Sequence, residues 1–293
     1  MGAYIFAPPG NVSKYSMKIP LSRAAGAGLL ALLHMALPAR AAAPAPGFHW
    51  PAGIRAAVSL GYDDALDSQL DNAIPALDRA GLKGSFYLQL SNPSVAQRMA
   101  AWRAAAARGH ELGNHSLFHQ CSANVPGHDF VQADRNLDTT TAGQMRDQVL
   151  VANTVLAAID GRAERTYTVP CGDRMAAGRD YLPGIRGAFV GIKAGENDGV
   201  VESMARLDPL AVPVLAPVGL SGKELIAIVE RAGARGTMAN FTFHGVGGDY
   251  LTTSKEAHDE LLAWLAAHRA EYWTDTFVTL MRYVRTQQAA PIK

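Results

Sequence analysis

The 293 residues are 48% hydrophobic and 18% charged, and 27 basic against 26 acidic side chains leave a formal net charge of +1. That much apolar material suffices for a large buried core. So balanced a charge excludes a polybasic membrane-surface protein and a nucleic-acid binder, and no nucleic-acid partner is expected. Residues 1–41 are set apart as a signal peptide with an N-terminal extension. Lys18 and Arg23 flank the start of an apolar run over 24–38, which is followed by the small-x-small pattern Ala39-Arg40-Ala41. At about 15 residues the run falls short of the roughly 20 that span a bilayer, so an export signal is expected and no stable membrane anchor after cleavage near Ala41. Met17 is a more natural start for such a signal than Met1. The remainder, 42–293, is expected to be one exported domain, periplasmic or secreted; at roughly 250 residues it has the size of a single α/β barrel.

Beyond a Pro/Ala-rich stretch, strand-like apolar runs alternate with helical patterns. Residues 54–62 predict a strand, 66–80 a helix closed by Gly81, and 84–90 a second strand. Val95, Met99, Trp102 and Ala106 mark one face of a helix that stops at Gly109, and 110–115 fits a short strand running into a loop. A polar segment over 120–138 precedes a long helix, on which Met145, Val149, Ala152, Leu156 and Ile159 recur at helical period. Further strands are predicted at 165–170, 187–194 and 237–244, with helices at 223–232, 254–268 and 275–286. Trp102 and Trp264 fall on helix faces as core, and Trp273 opens the last helix. The alternation predicts an α/β fold, a mostly parallel sheet with helices outside it.

Set on this map, the chemistry gathers at strand ends. Asp63-Asp64 follows the first strand, His115 and His119 the third, Pro170-Cys171-Gly172 the next, and His244 ends a late one. In a β/α barrel those ends open onto one face, where active sites are built. Two imidazoles four residues apart and one carboxylate form a three-ligand set that leaves metal coordination positions open. A divalent ion held by Asp64, His115 and His119 lowers the pKa of a bound water toward about 7. Successive strand side chains point to opposite sides, so Asp63 is left as general base beside that water. His244 is positioned to protonate a leaving amine or alkoxide. His128, in the polar loop near the metal motif, is read as solvated, with substrate contact as the weaker alternative, and His110, His258 and His268 as structural or surface residues. The only two cysteines, Cys121 and Cys171, are expected to pair, because an exported chain with an even count invites a disulfide. Two free thiols or a thiolate ligand are the rival readings.

These motifs resemble the polysaccharide deacetylases of carbohydrate esterase family 4, the NodB-homology domain. The resemblance runs from about Ala56 to Arg285. "SLGYDDA" is similar to the family's T-F-D-D-G motif, with Asp63 at the general base and Asp64 at the metal ligand. "GHELGNHSLFH" matches H-[ST]-x-x-H through His115, Ser116 and His119. "TYTVPCGD" resembles R-x-P-x-G, and "FTFHGVGGDYL" the last motif, with His244 at the general acid. The resemblance implies a single-domain, distorted (β/α) barrel of about seven strands and one divalent metal, zinc first, with cobalt, manganese or nickel as alternatives. It also implies an acetylated carbohydrate partner from which N- or O-linked acetyl groups are removed, and a backbone N–H of Cys171 that faces the oxyanion. Three departures stand out. The family's Thr is Gly61 and its closing Gly is Ala65. The third-motif Arg, which orients the base, aligns with Thr168, leaving Arg165 or Arg174 as substitutes. The Asp that partners the acid histidine is assigned by position alone to Asp208. A carbohydrate-binding pseudoenzyme and a small-molecule amidohydrolase are the competing functions; retention of both histidines and both aspartates favours the metal-dependent hydrolase.

Overall fold

Strand β1 (Ala56–Asp63) is buried at every position, as expected of a parallel strand covered on both faces. The computed structural model to which it belongs describes residues 47–289, so the expected signal segment at 1–41 lies outside the described residues. After β1 come β2 (Ser85–Leu88), β3 (Glu111–Asn114), β4 (Thr166–Thr168), a small antiparallel hairpin of β5 (Met175–Ala176) and β6 (Arg179–Asp180), β7 (Gly191–Glu196), β8 (Val212–Val214), β9 (Met238–Phe243) and β10 (Tyr272–Asp275). The helices are α1 (Ile74–Ala80), α2 (Pro93–Gln97), α3 (Met99–Ala107), α4 (Ala142–Asp160), α5 (Gly222–Arg235), α6 (Lys255–Ala267) and α7 (Phe277–Ala289). None of the described helices is long and apolar enough to cross a membrane.

In lateral order β9, β1, β2, β3, β4, β7 and β8 run parallel, and a bridge between Leu215 and Phe241 brings the last back to the first. The product is a nearly closed barrel of seven parallel strands with helices around it. Its distortion has a local cause: β1 changes partner along its length. Its first half pairs with β10, Ala56 opposite Tyr272, and its second half with β2, Gly61 opposite Ser85.

Local chemistry sets the helix ends. Thr141 and Gln144 form a reciprocal capping box at the start of α4, and Ser221 and Glu224 another at the start of α5. Gly161 closes α4 in the left-handed conformation, φ 73°, where a side chain is disfavoured. The core packs around Tyr62, whose ring stacks on Phe86 at 4.7 Å and on Phe243 at 5.4 Å, with Trp102 fully buried alongside.

The helix predicted over 66–80 forms, closed by Gly81 as expected, with a π-helical stretch at Gln69–Ala73 running into α1. Three expectations are corrected. The strand predicted from 187 begins at Gly191, because Arg186–Ala188 makes a 3₁₀ turn. β8 was not predicted: its three residues include Pro213, a poor strand signal. The last helix begins at Phe277, since 272–275 are drawn into β10, and Trp273 therefore sits on a strand.

Candidate active site and metal centre

At the end of β1 the chain turns sharply, and Asp64 sits at φ 79°. Beyond β3, Ser116 and His119 also take positive φ, 63° and 53°, as does Cys171 beyond β4 at 54°. Non-glycine residues held there are strained, and such strain collects at functional sites. The surroundings hold it in place. Asn114 Oδ1 accepts from the Ser116 N–H at 2.7 Å, and Ser116 Oγ from the His119 N–H at 3.0 Å. On the other side Asn92 donates to the Asp64 carbonyl at 2.9 Å, and the Asp64 N–H donates to Tyr87 at 3.1 Å. The strained turns thus aim three side chains at one point.

His115 Nε2 and His119 Nε2 each lie 3.2 Å from Asp64 Oδ1. His115 Nδ1 donates to the Thr168 carbonyl at 2.8 Å, which fixes the tautomer that leaves a lone pair on Nε2. Asp64 Oδ1 is buried and has no hydrogen-bond donor. Two imidazole nitrogens converging on this orphaned carboxylate oxygen make a three-atom donor set that fits one divalent ion. Charge points the same way. Burial raises the Asp64 pKa, but the two imidazoles outweigh it and hold the carboxylate well below its usual range. Burial would lower that of His115, yet Asp63 and Asp64 together raise it to about 9. The pair of carboxylates thus favours a cation at this point.

Asp63 Oδ2 lies 3.7 Å from His115 Nε2, and Asp63 Oδ1 is buried without a partner. His244, just past β9, places Nε2 at 3.8 Å from Asp64 Oδ2. Both open into a cavity of about 910 Å³, with Cys171 and Gly172 on its wall. Cys121 and Cys171 are joined by a disulfide, Cα atoms 5.8 Å apart, which links the His119 loop to the Cys171 turn. His128 is not loosely solvated as expected: its Nδ1 bonds the Ser122 carbonyl at 2.8 Å, and the ring lines the cavity.

Two expected supporting residues fall elsewhere. Arg165 precedes β4 and bonds Asp160 at 2.9 Å; one strand length separates it from the rim where Asp63 lies. Asp208 precedes β8 and pairs with the surface Arg186 at 2.7 Å, while His244 Nδ1 has no partner among the described residues. Residues before a barrel strand sit at its opposite end, so neither can join the site. Arg174, the other substitute for the missing arginine, pairs with Asp180 in the β5–β6 hairpin.

Two cavity residues escaped sequence reasoning. Tyr250 donates to Asp64 Oδ2 at 2.8 Å. A tight turn folds it back: a Cβ on Gly245 would meet the Gly248 carbonyl oxygen at 2.0 Å. The second is Lys193 of β7, 1% exposed, whose only signal was a lone charge in an apolar strand run.

A family model described as "Polysaccharide deacetylase" matches residues 53–182, which carry Asp63, Asp64, both metal-site histidines and the Cys171 turn. No curated protein matches the chain. Among solved structures, a candidate polysaccharide deacetylase from Mycobacterium smegmatis aligns with TM-score 0.57 and 14% identity, over 86% of this chain and 97% of that one. A family 4 acetyl xylan esterase from Clostridium thermocellum, in complex with cobalt, aligns with TM-score 0.49 and 19% identity, over 80% and 93%. A CE4 family pseudoenzyme from Bacillus anthracis aligns with TM-score 0.47 and 17% identity, over 77% and 65%. The first of these likenesses supports the barrel fold.

Proposed function

We infer from the match of a polysaccharide deacetylase family model to residues 53–182 that this chain is a metal-dependent hydrolase of that family. Its substrate on this reading is an acetylated carbohydrate, a chito-oligosaccharide, peptidoglycan or another polysaccharide, with the acetyl group on nitrogen or oxygen. The observation that carries the reading is the convergence of His115 and His119 on Asp64 Oδ1, beside Asp63 and open to the cavity. A divalent ion, zinc first, held by Asp64, His115 and His119 supplies Lewis-acid polarisation and a water of lowered pKa.

The chain's own groups do the rest. The Asp63 carboxylate takes a proton from the attacking water. Burial, with the neighbouring Asp64 carboxylate, holds its pKa above the usual carboxylate value, the direction that makes a better proton acceptor, while His115, His244 and Lys193 offset part of that rise. The Cys171 N–H, presented by the left-handed turn, faces the oxyanion; one such donor is worth about 3 kcal/mol of transition-state stabilisation. His244 Nε2 delivers a proton to the leaving nitrogen or oxygen. Export to the periplasm or medium is part of the same proposal. It is supported by the apolar run at 24–38 and by the Cys121–Cys171 disulfide, a bond of oxidising compartments.

Metal analysis alongside acetate release from acetylated chito-oligosaccharides, peptidoglycan and acetylxylan tests the reading. One divalent ion per chain and release from at least one substrate are expected. A chain that holds the ion and binds these glycans without releasing acetate is a pseudoenzyme, and that outcome overturns the proposal.

A further inference from the structure

We propose that Lys193 is the positioning cation for Asp63, in place of the arginine absent at Thr168, and that Gly61 supplies the room for it. The inference rests on the metal-dependent hydrolase reading. Thr168 of β4 and Lys193 of β7 are directly opposite one another in register. Registered residues of parallel neighbours point to the same face, so a cation moved from one position to the other still reaches the barrel interior. Both line the active-site cavity.

Gly61 explains how a lysine fits. A Cβ at that position would meet Lys193 Nζ at 2.2 Å and the Phe241 carbonyl oxygen at 2.9 Å. Any side chain there would displace the ammonium. The two departures from the family motifs, Gly for Thr at 61 and Thr for Arg at 168, are thus one rearrangement.

Lys193 is 1% exposed, between the rings of Tyr87 and Phe277, each 5.1 Å from Nζ to centroid. Of its three donors, one reaches the Phe241 carbonyl at 2.9 Å. Two carboxylates share the interior with it. Glu111 is already satisfied, by Ser85 Oγ at 2.7 Å, the Val278 N–H at 2.9 Å and Thr166. Asp63 Oδ1 is buried with no partner. No ion pair joins Lys193 to Asp63, so the ammonium acts through the interior, where charge is weakly screened. It is a positioning residue and touches neither substrate nor reacting atoms.

A buried ammonium is costly, so replacing it by an apolar chain of like shape is expected to leave the fold intact. Lys193→Met should therefore keep wild-type zinc stoichiometry and unfold within a few degrees of wild type. Its kcat should drop about tenfold or more with KM little changed. Adding Thr168→Arg to that variant should recover kcat. Wild-type kcat in Lys193→Met overturns the inference, and so does a loss that Thr168→Arg leaves in place. If Lys193→Met fails to fold and Thr168→Arg does not restore it, the ammonium holds the fold and the inference falls. Should the wild type release no acetate, the parent reading fails by itself. Crystal structures of wild type and Lys193→Met then decide this one: a displaced Asp63 carboxylate upholds it, an unmoved one defeats it.

Discussion

On the proposed mechanism two adjacent carboxylates take different tasks because the chain turns between them. Asp63 ends a strand, and Asp64 at φ 79° is already in the turn. Asp64 is the group on which both imidazoles converge, so Asp64→Ala is expected to lose zinc and activity together, as seen by metal analysis and acetate release. Asp63→Asn keeps shape and metal but cannot accept a proton; kcat should fall by about 10²–10⁴, with zinc content unchanged. Full activity in Asp63→Asn would remove it from the role of base. At this scale the sequence was most informative, because Asp, His and Cys at strand ends are few and chemically specific. Tyr250 and Lys193 were hidden for the opposite reason. One depends on how the loop past His244 folds back, the other on which residue of β7 stands opposite Thr168, and neither is visible in local spacing.

Elements carry the next layer. Strands with long apolar runs, such as β1 and β9, were legible within a few residues, since burial on both faces leaves an unbroken hydrophobic signature. β8 and β10 were not, because three or four residues gain strand conformation only from neighbours already in place. The loop past β9 shows the same dependence on context. Gly245→Ala forces a Cβ into backbone that cannot yield, and is expected to destabilise by about 1–3 kcal/mol in chemical unfolding and to withdraw Tyr250 from Asp64. The contact of α6 with β1 is a second case. His258 Nε2 meets the Tyr62 hydroxyl at 2.7 Å, and burial lowers the imidazole pKa to about 4. The folded chain then binds fewer protons than the unfolded chain, whose histidine titrates near 6.5. Stability present above about pH 6.5 is lost as pH falls toward about 4, by up to about 3 kcal/mol. Thermal unfolding between pH 7 and pH 5 should show this slope, and His258→Leu should flatten it while lowering stability at pH 7. An unchanged slope in that variant would assign the pH dependence to other groups.

Across the whole molecule, the barrel brings residues from 63 to 250 of the sequence to one rim, and the Cys121–Cys171 disulfide fastens two of its loops to each other. The bond spans a sequence separation of 50. Closing a loop of that length in the unfolded chain corresponds to about 4 kcal/mol, an upper figure because the unfolded chain keeps some compactness. Its two ends also matter to the site. Cys121 lies two residues beyond His119, and Cys171 lines the cavity. Removing the bond is therefore expected to loosen the His119 loop and the Cys171 turn together. The Cys121→Ser, Cys171→Ser double variant is expected to melt at a clearly lower temperature and to bind zinc more weakly, because His119 is no longer held at φ 53°. His115, fixed by the Thr168 carbonyl through a separate hydrogen bond, keeps its orientation, so affinity should fall without vanishing. Zinc titration of the oxidised wild type, the reduced wild type and the double variant separates these effects. If reduction lowers stability and leaves zinc affinity untouched, the bond serves the fold alone and the metal-site loop is held by Ser116 and Asn114.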